Sequence, residues 1–160
     1  MMTHLICEVL KALSGKTLAT AESCTGGGIG AALTAIPGSS SVYKGGVICY
    51  TNWVKTNLLQ VSPDMLDCCG AVSAPVAEAM AQGARKILQA DVAVSVTGLA
   101  GPGGDEFGNP VGTVYIGCDM AGKTAVKHFC FPGDRETVRR AAIKSALEMI
   151  LELLPENTAL

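Results

Sequence analysis

The stretch "AESCTGGGIG", residues 21–30, decides the fold because it joins a β-branched segment to an alanine-rich one. The preceding "KTLAT", residues 16–20, is typical of a buried strand, and "TGGGIGAALTAI", residues 25–36, has a helical pattern. A strand that turns through glycines into a helix directs backbone N–H groups at whatever lies above the turn. Because Ser23, Cys24 and Thr25 stand at this turn, it can be a phosphate cradle, an exposed nucleophile or only a tight turn.

Helical and strand patterns alternate along the rest of the chain, and one hairpin interrupts them. This order predicts an α/β fold, a three-layer α/β/α sandwich with a mixed, mostly parallel sheet, in a single domain over residues 1–160. The predicted elements are a helix over 2–13, a strand over about 47–51 entered through Gly45–Gly46, a helical turn or two over 53–61, a helix from Ser73, a central strand over 90–98, a loop over 98–112, a hairpin over 112–131 with its turn at Ala121–Gly122, and a helix over 133–154.

The composition excludes several classes of protein. A net charge of −2 without a long like-charge run argues against a dedicated nucleic-acid binder. No apolar run approaches the roughly 20 residues of a membrane span, and the N-terminus does not have the pattern of a signal peptide. The seven cysteines form no CxxC pair, so reduced thiols are expected rather than a disulfide framework or a metal site. We therefore expect a cytoplasmic protein.

Two nucleotide-binding motifs fail their structural context. "GCDMAGKT", residues 117–124, matches the P-loop pattern, but the β-branched and aromatic "TAVKHFCF" follows it where a helix is required. Gly26, Gly28 and Ala31 satisfy GxGxxA after a strand. However, no acid lies between Glu22 and Asp64 to hold a ribose. Phosphate capture by the helix start remains open.

A serine nucleophile at this turn needs a base, and the chain has only two histidines. His4 and His128 fall in a terminal helix and a hairpin strand, so a lysine or a carboxylate is the remaining choice. Lys55 follows the end of a predicted strand, where α/β sheets bind ligands. A lysine serves as a base if burial or a neighbouring cation lowers its pKa.

Cys24 is the rival nucleophile, because a helix N-terminus can depress a thiol pKa. Adjacent strand residues point to opposite faces, so Ser23 and Cys24 share a site only if the turn starts early. Arg135 and Arg139 lie four residues apart on the last predicted helix and can clamp an anion or make surface salt bridges. The predicted loop over 98–112 has the length of a binding loop.

Four of these segments are similar to the CinA C-terminal domain family, the competence-damage-inducible proteins. They are "AESCTGG" at 21–27, the tyrosine–lysine stretch at 50–55, "GLAGPGG" at 98–104 and "GDRETVR" at 133–139, and the similarity covers about residues 17–145. The family implies hydrolysis of the carboxamide of nicotinamide mononucleotide, without metal or redox cofactor. It also implies a homo-oligomer. Longer members carry a further N-terminal domain, which we do not expect here.

The resemblance assigns roles to the matching positions. Ser23 becomes the nucleophile, Lys55 its base and Tyr50 a supporting hydroxyl. The expected substrate contacts are Thr25, Gly26, Gly27, Gly98, Gly101, Arg135 and Arg139. Trp53 and Val54 in "TNWVK" depart from the small or acidic residues that usually precede the family lysine. A nucleotide-binding domain without catalysis and an amidase for another small amide remain alternatives on the same fold.

Overall fold

Helices and strands follow one another in the predicted order, with one additional helix. In a computed structural model, which describes residues 1–155, a short 3₁₀ turn at Ser39–Ser41 precedes the second strand. The elements are α1 (Met2–Ala12), β1 (Leu18–Glu22), α2 (Gly28–Thr34), β2 (Tyr43–Ile48), α3 (Asn52–Leu59), α4 (Pro63–Cys69), α5 (Ala74–Ile87), β3 (Val92–Gly98), β4 (Thr113–Met120), β5 (Lys123–Cys130) and α6 (Arg135–Leu153).

The five strands form one mixed sheet with the order β2-β1-β3-β4-β5. β1 pairs in parallel with β2 and β3, whereas the β3–β4 and β4–β5 pairs are antiparallel. Only β4 therefore runs against the other strands. Glu22 pairs with Ile48 on one side and Val96 on the other, so the carboxyl ends of three strands meet at one edge.

Helices cover both faces of this sheet, which confirms the three-layer class. The side chains of Leu18, Val94 and Ile116 pack on one face in a core shared with α1, α2 and α6. On the other face, Ala19 and Ala93 pack against α3, α4 and α5. All five residues of β1 are buried, and successive side chains meet opposite faces because an extended chain has a period of two.

One local prediction was wrong, and one helix was missed. The second strand begins at Tyr43 rather than Val47 and contains both glycines. Position 46 needs a glycine, because a Cβ there would clash with Thr20 Oγ1 of the neighbouring strand. Helix α4 was not predicted, although its start carries ordinary signals. Ser62 Oγ accepts the Met65 N–H at 3.4 Å, and Pro63 occupies the first helical position.

The hairpin prediction is confirmed, and with it the rejection of the P-loop. Met120 pairs with Lys123 across the turn, and β5 continues where a phosphate-binding helix would begin. The same strand order places β3 at the centre of the sheet, as its apolar sequence predicted. None of the helices in the described residues combines the length and hydropathy that crossing a membrane requires.

Candidate active site

A cavity of about 320 Å³ opens at the edge where β1, β2 and β3 end. This is where parallel α/β sheets bind ligands, because the loops that follow the strands converge there. The cavity lies among segments that are far apart in sequence. Its lining residues are Ser23, Cys24, Tyr50, Asn52, Lys55, Ala71, Val72, Thr97, Gly98, Leu99, Ala100, Gly101, Gly103 and Arg135.

Ser23 and Lys55 meet at the bottom of this cavity. The Ser23 N–H donates to Val96 O at 2.9 Å, which fixes the residue directly after β1. Lys55 Nζ lies 3.0 Å from Ser23 Oγ and donates to Cys49 O at 2.8 Å. Lys55 is 2% exposed, so its side chain extends from α3 through the protein interior to reach Ser23. This geometry permits direct proton transfer between the two side chains.

Burial lowers the pKa of Lys55, because the ammonium loses its hydration. Thiolates at Cys49 and Cys24 would oppose this shift. Burial, however, raises the pKa of each of these thiols to about 11, so both are neutral near pH 7. In residues 1–155 no carboxylate lies within ion-pair distance of Nζ. A neutral Lys55 amine is therefore accessible at lower pH than for a solvated lysine.

Cys24 lies in the same cavity as Ser23, because the turn begins immediately after Glu22. The early turn is the condition under which the sequence analysis expected the two residues to share a site. Desolvation nevertheless raises the Cys24 pKa to about 11, against the smaller opposing effect of Arg139 and Lys55. A thiolate is the reactive form of cysteine, so the structure favours Ser23 over Cys24 as the nucleophile.

Glu22 organises the turn, and the sequence analysis gave it no role. Its carboxylate is 2% exposed and accepts from Thr25 Oγ1 at 2.7 Å, Ile29 N at 2.7 Å and Gly30 N at 3.1 Å. These bonds satisfy amides at the start of α2. The position of an acid just before a glycine-rich helix start was the available signal.

Thr25, Gly26 and Gly27 therefore build the turn rather than line the cavity. Thr25 is fully buried, and both glycines have positive φ values of 58° and 97°. The Glu22 carboxylate accepts the amides of Ile29 and Gly30, so these two donors of α2 are not open to a phosphate. The substrate contacts at Thr25, Gly26 and Gly27 stay predictions.

The two arginines of α6 have different environments. Arg135 lines the cavity, where its Nη1 donates to Gly101 O at 2.6 Å and its Nη2 to Tyr50 Oη at 3.1 Å. Arg139 donates from Nε to Cys24 O at 3.1 Å and from Nη2 to Thr25 O at 3.2 Å. Arg139 thus braces the turn, and a clamp of both arginines on an anion stays a prediction.

Tyr50 and the two predicted loop glycines lie at the cavity. The Tyr50 side chain is 59% exposed, and its hydroxyl contacts Arg135 rather than the serine or the lysine. A Cβ at Gly98 would clash with Val114 Cγ2, so the end of β3 needs this glycine. Gly101 contributes its carbonyl oxygen as the acceptor for Arg135.

Both histidines lie outside this site. His4 faces Glu8 at 3.5 Å on α1, and His128 stacks on Tyr115 with ring centroids 4.7 Å apart. The sequence analysis missed Thr97, which lines the cavity and donates to Ala71 O at 2.8 Å. Its position one residue before the end of a central strand was the only signal.

Known proteins are similar to this chain over nearly its whole length. The model of the CinA C-terminal domain matches residues 2–154. The chain belongs to the CinA C-terminal domain family. A CinA-like protein of Geobacter sp. (strain M21) is 49% identical over 141 residues, 88% of this chain and 34% of that protein. A putative competence-damage inducible protein of Moorella thermoacetica is 45% identical over 84% of this chain and 32% of its own length.

Solved structures of CinA proteins share the whole fold. The competence damage-inducible protein A of Klebsiella pneumoniae has a TM-score of 0.94 at 40% identity, covering 98% of both chains. A CinA superfamily protein of Escherichia coli has a TM-score of 0.94 at 37% identity, covering 96% of this chain and 91% of that one. This chain spans about a third of the length of the curated CinA relatives given above.

The departure of "TNWVK" from the usual CinA pattern lies beside the cavity rather than in it. Trp53 is 68% exposed, and Val54 packs against the apolar core on the α5 face of the sheet. Thr51 caps α3 by accepting the Val54 N–H at 3.5 Å, and Lys55 points inward one residue later. The substituted residues therefore leave the Ser23–Lys55 contact in place.

Proposed function

We propose that this CinA domain hydrolyses the carboxamide of nicotinamide mononucleotide to nicotinic acid mononucleotide and ammonia. The observation that carries the proposal is the 3.0 Å contact between Ser23 Oγ and the buried Lys55 Nζ. A buried amine without a carboxylate partner is costly to charge, and such groups serve as general bases. The resemblance to nicotinamide-nucleotide amidases of the family supplies the substrate class.

In the acylation step, neutral Lys55 takes the Ser23 hydroxyl proton as Ser23 Oγ attacks the carboxamide carbon. The tetrahedral intermediate collapses when protonated Lys55 gives that proton to the departing nitrogen. The carbon–nitrogen bond breaks, ammonia leaves, and a nicotinoyl ester remains on Ser23. Lys55 is then neutral again and ready for the second half-reaction.

In the deacylation step, Lys55 takes a proton from water, and the resulting hydroxide attacks the ester carbon. Lys55 then returns the proton to Ser23 Oγ as the ester bond breaks. The Cys49 carbonyl, at 2.8 Å from Nζ, holds the amine in place through both steps. No metal or redox group takes part in this sequence.

Backbone amides next to Ser23 are suited to stabilise the negative oxygen of the intermediate. The Gly26 N–H already donates to Ser23 O at 3.0 Å. The remaining donors in this proposal are the amides of Cys24 and Gly101, two residues that line the cavity. The substrate phosphate is directed to Arg135, the cation that lines the cavity. Arg139 contributes indirectly by holding the carbonyls of the turn.

The decisive test is ammonia release from nicotinamide mononucleotide by the wild type, Ser23→Ala and Lys55→Met. We expect turnover in the wild type and a loss of about 10³-fold or more in both variants, since the two groups act as a unit. Lys11→Met, which removes an exposed lysine of α1, is the matched control and should retain activity. Hydroxylamine should divert the ester to a hydroxamate.

Three results would redirect the assignment. Nucleotide binding without ammonia release would favour a binding domain on the same fold. Faster turnover of nicotinamide riboside, or of an unrelated small amide, would assign another amide as the substrate. Undiminished activity in Ser23→Ala would remove the serine mechanism. For the phosphate contact, Arg135→Ala should raise KM for the mononucleotide by about tenfold or more, with less effect on the riboside.

A further inference from the structure

A second polar cavity lies at the opposite end of the sheet. It has a volume of about 490 Å³, within the range of small-ligand sites. It lies between the C-terminal half of α5 and the β4–β5 turn, whereas the candidate active site lies beside the residues that precede this 14-residue helix. The residues that line this far cavity are Gln82, Arg85, Lys86, Asp119, Gly122, Lys123 and Thr124.

The far cavity contains three cationic side chains and a single carboxylate, in a chain whose net charge is −2. The carboxylate of Asp119 is already satisfied. It accepts Arg85 Nε at 2.5 Å on one oxygen and Thr124 Oγ1 at 2.6 Å on the other. Because Asp119 is buried, it holds the Arg85 guanidinium in one orientation rather than competing for other cations.

The remaining cationic donors have no protein acceptor. Within residues 1–155, neither Lys86 Nζ nor Lys123 Nζ makes a hydrogen bond or an ion pair, and the same holds for the Nη groups of Arg85. Both lysines are exposed, so their ammonium groups are hydrated. Three cationic side chains that line one cavity attract a ligand with several negative charges.

We propose that this far cavity binds a small diphosphate-bearing anion. The planar fork of Arg85 matches the spacing of phosphate oxygens, and two lysines supply point charges on either side. A diphosphate is larger than a single phosphate ion and so occupies more of the far cavity. It also carries enough negative charge to contact all three cations. Lys123 and Thr124 come from the "GCDMAGKT" stretch, where they act in a hairpin turn instead of a P-loop. The site is independent of the proposed amidase reaction.

The test is calorimetric titration of the folded wild type with inorganic pyrophosphate at low ionic strength, without divalent metal. We expect saturable binding, which the double variant Lys86→Ala/Lys123→Ala weakens by at least about tenfold. The matched control Lys11→Ala/Lys144→Ala removes two charges from α1 and α6 on the other face of the sheet. It should change the affinity by no more than about twofold.

Backbone chemical shifts place the bound ligand. Pyrophosphate should move the amide signals of Gly122, Lys123 and Thr124, and these shifts should persist in Arg135→Ala. Tighter binding of adenosine diphosphate than of pyrophosphate would assign a nucleotide as the source of the diphosphate, and equal binding would assign the inorganic anion.

Three results would overturn the proposal. The first is the absence of saturable pyrophosphate binding in the wild type, and the second is an equal loss of affinity in both double variants. The third is binding that disappears in Arg135→Ala, because the catalytic cavity would then be the only anion site. Ammonia release by Lys86→Ala/Lys123→Ala should match the wild type, so the far cavity and the amidase site are tested separately.

Discussion

The two ends of the sheet use the same side chain in opposite ways. At the carboxyl ends of β1–β3, Lys55 is buried, and burial lowers its pKa. At the other end, Lys86 and Lys123 are exposed beside a cavity of similar polarity. A desolvated lysine is a base, whereas a hydrated lysine is a fixed positive charge. The lysines at the two ends therefore differ in their chemistry because they differ in solvation, since the residue type is the same.

Replacing lysine by arginine separates the two ends most sharply. Lys55→Arg should lower kcat for ammonia release by about 10³-fold or more, because a guanidinium does not give up its proton near neutral pH. Lys86→Arg/Lys123→Arg should keep pyrophosphate binding within about threefold, since the charge is retained. Steady-state kinetics and calorimetry on the same two proteins measure both effects. Comparable activity of Lys55→Arg and wild type would show that Lys55 is not the base.

Each end also has a buried carboxylate, and we expect these to differ in their contribution to stability. Glu22→Gln replaces an acceptor of three donors by an amide that itself donates, which should lower the free energy of unfolding by about 2–4 kcal/mol. Asp119→Asn should cost only about 1 kcal/mol, because its Arg85 partner is partly solvated. Urea denaturation of the two variants compares them. A larger loss in Asp119→Asn would reverse this order.

The pH dependence of turnover should show the solvation of Lys55. Burial lowers its pKa from the ordinary 10.5, and the neutral amine is the active form. We therefore expect kcat/KM to rise with pH, about tenfold per unit at most, and to level off below pH 10.5. The pH profile of kcat/KM for nicotinamide mononucleotide measures this limb. A limb that does not level off below pH 10.5 would show that burial does not lower the pKa of Lys55.

The smallest effect is expected at Cys24. Burial raises its pKa to about 11, so little thiolate exists near pH 7. Cys24→Ala should change kcat/KM by no more than about threefold, and iodoacetamide should inactivate the wild type slowly at neutral pH. Activity assays before and after alkylation test this. Rapid inactivation that Cys24→Ala abolishes would restore the cysteine as the nucleophile.

The sequence predicted the Ser23–Lys55 pair more reliably than the anion contacts. Histidine scarcity pointed to a lysine, and the family resemblance placed it at Lys55, which the structure brings to Ser23. The donors of Arg139 and of the start of α2, which we expected to meet an anion, are engaged within the protein. Their acceptors are Cys24 O, Thr25 O and the Glu22 carboxylate. Competition between a ligand and an internal acceptor is a tertiary property.

The sequence by itself determined the α/β class, the order of the elements and the hairpin that excludes a P-loop. Hydrophobic period and glycine position act over a few residues, so they can be interpreted without the fold. Only the tertiary structure decided which lysine and arginine donors are bound to acceptors within the protein and which are open to a ligand. In the sequence, each of Lys55, Arg135 and Lys123 is simply a basic residue. The solvation and the neighbours of each side chain depend on segments that lie far away along the chain. The pKa of one lysine and the open donors of another therefore appear only when the sheet and its helices have assembled.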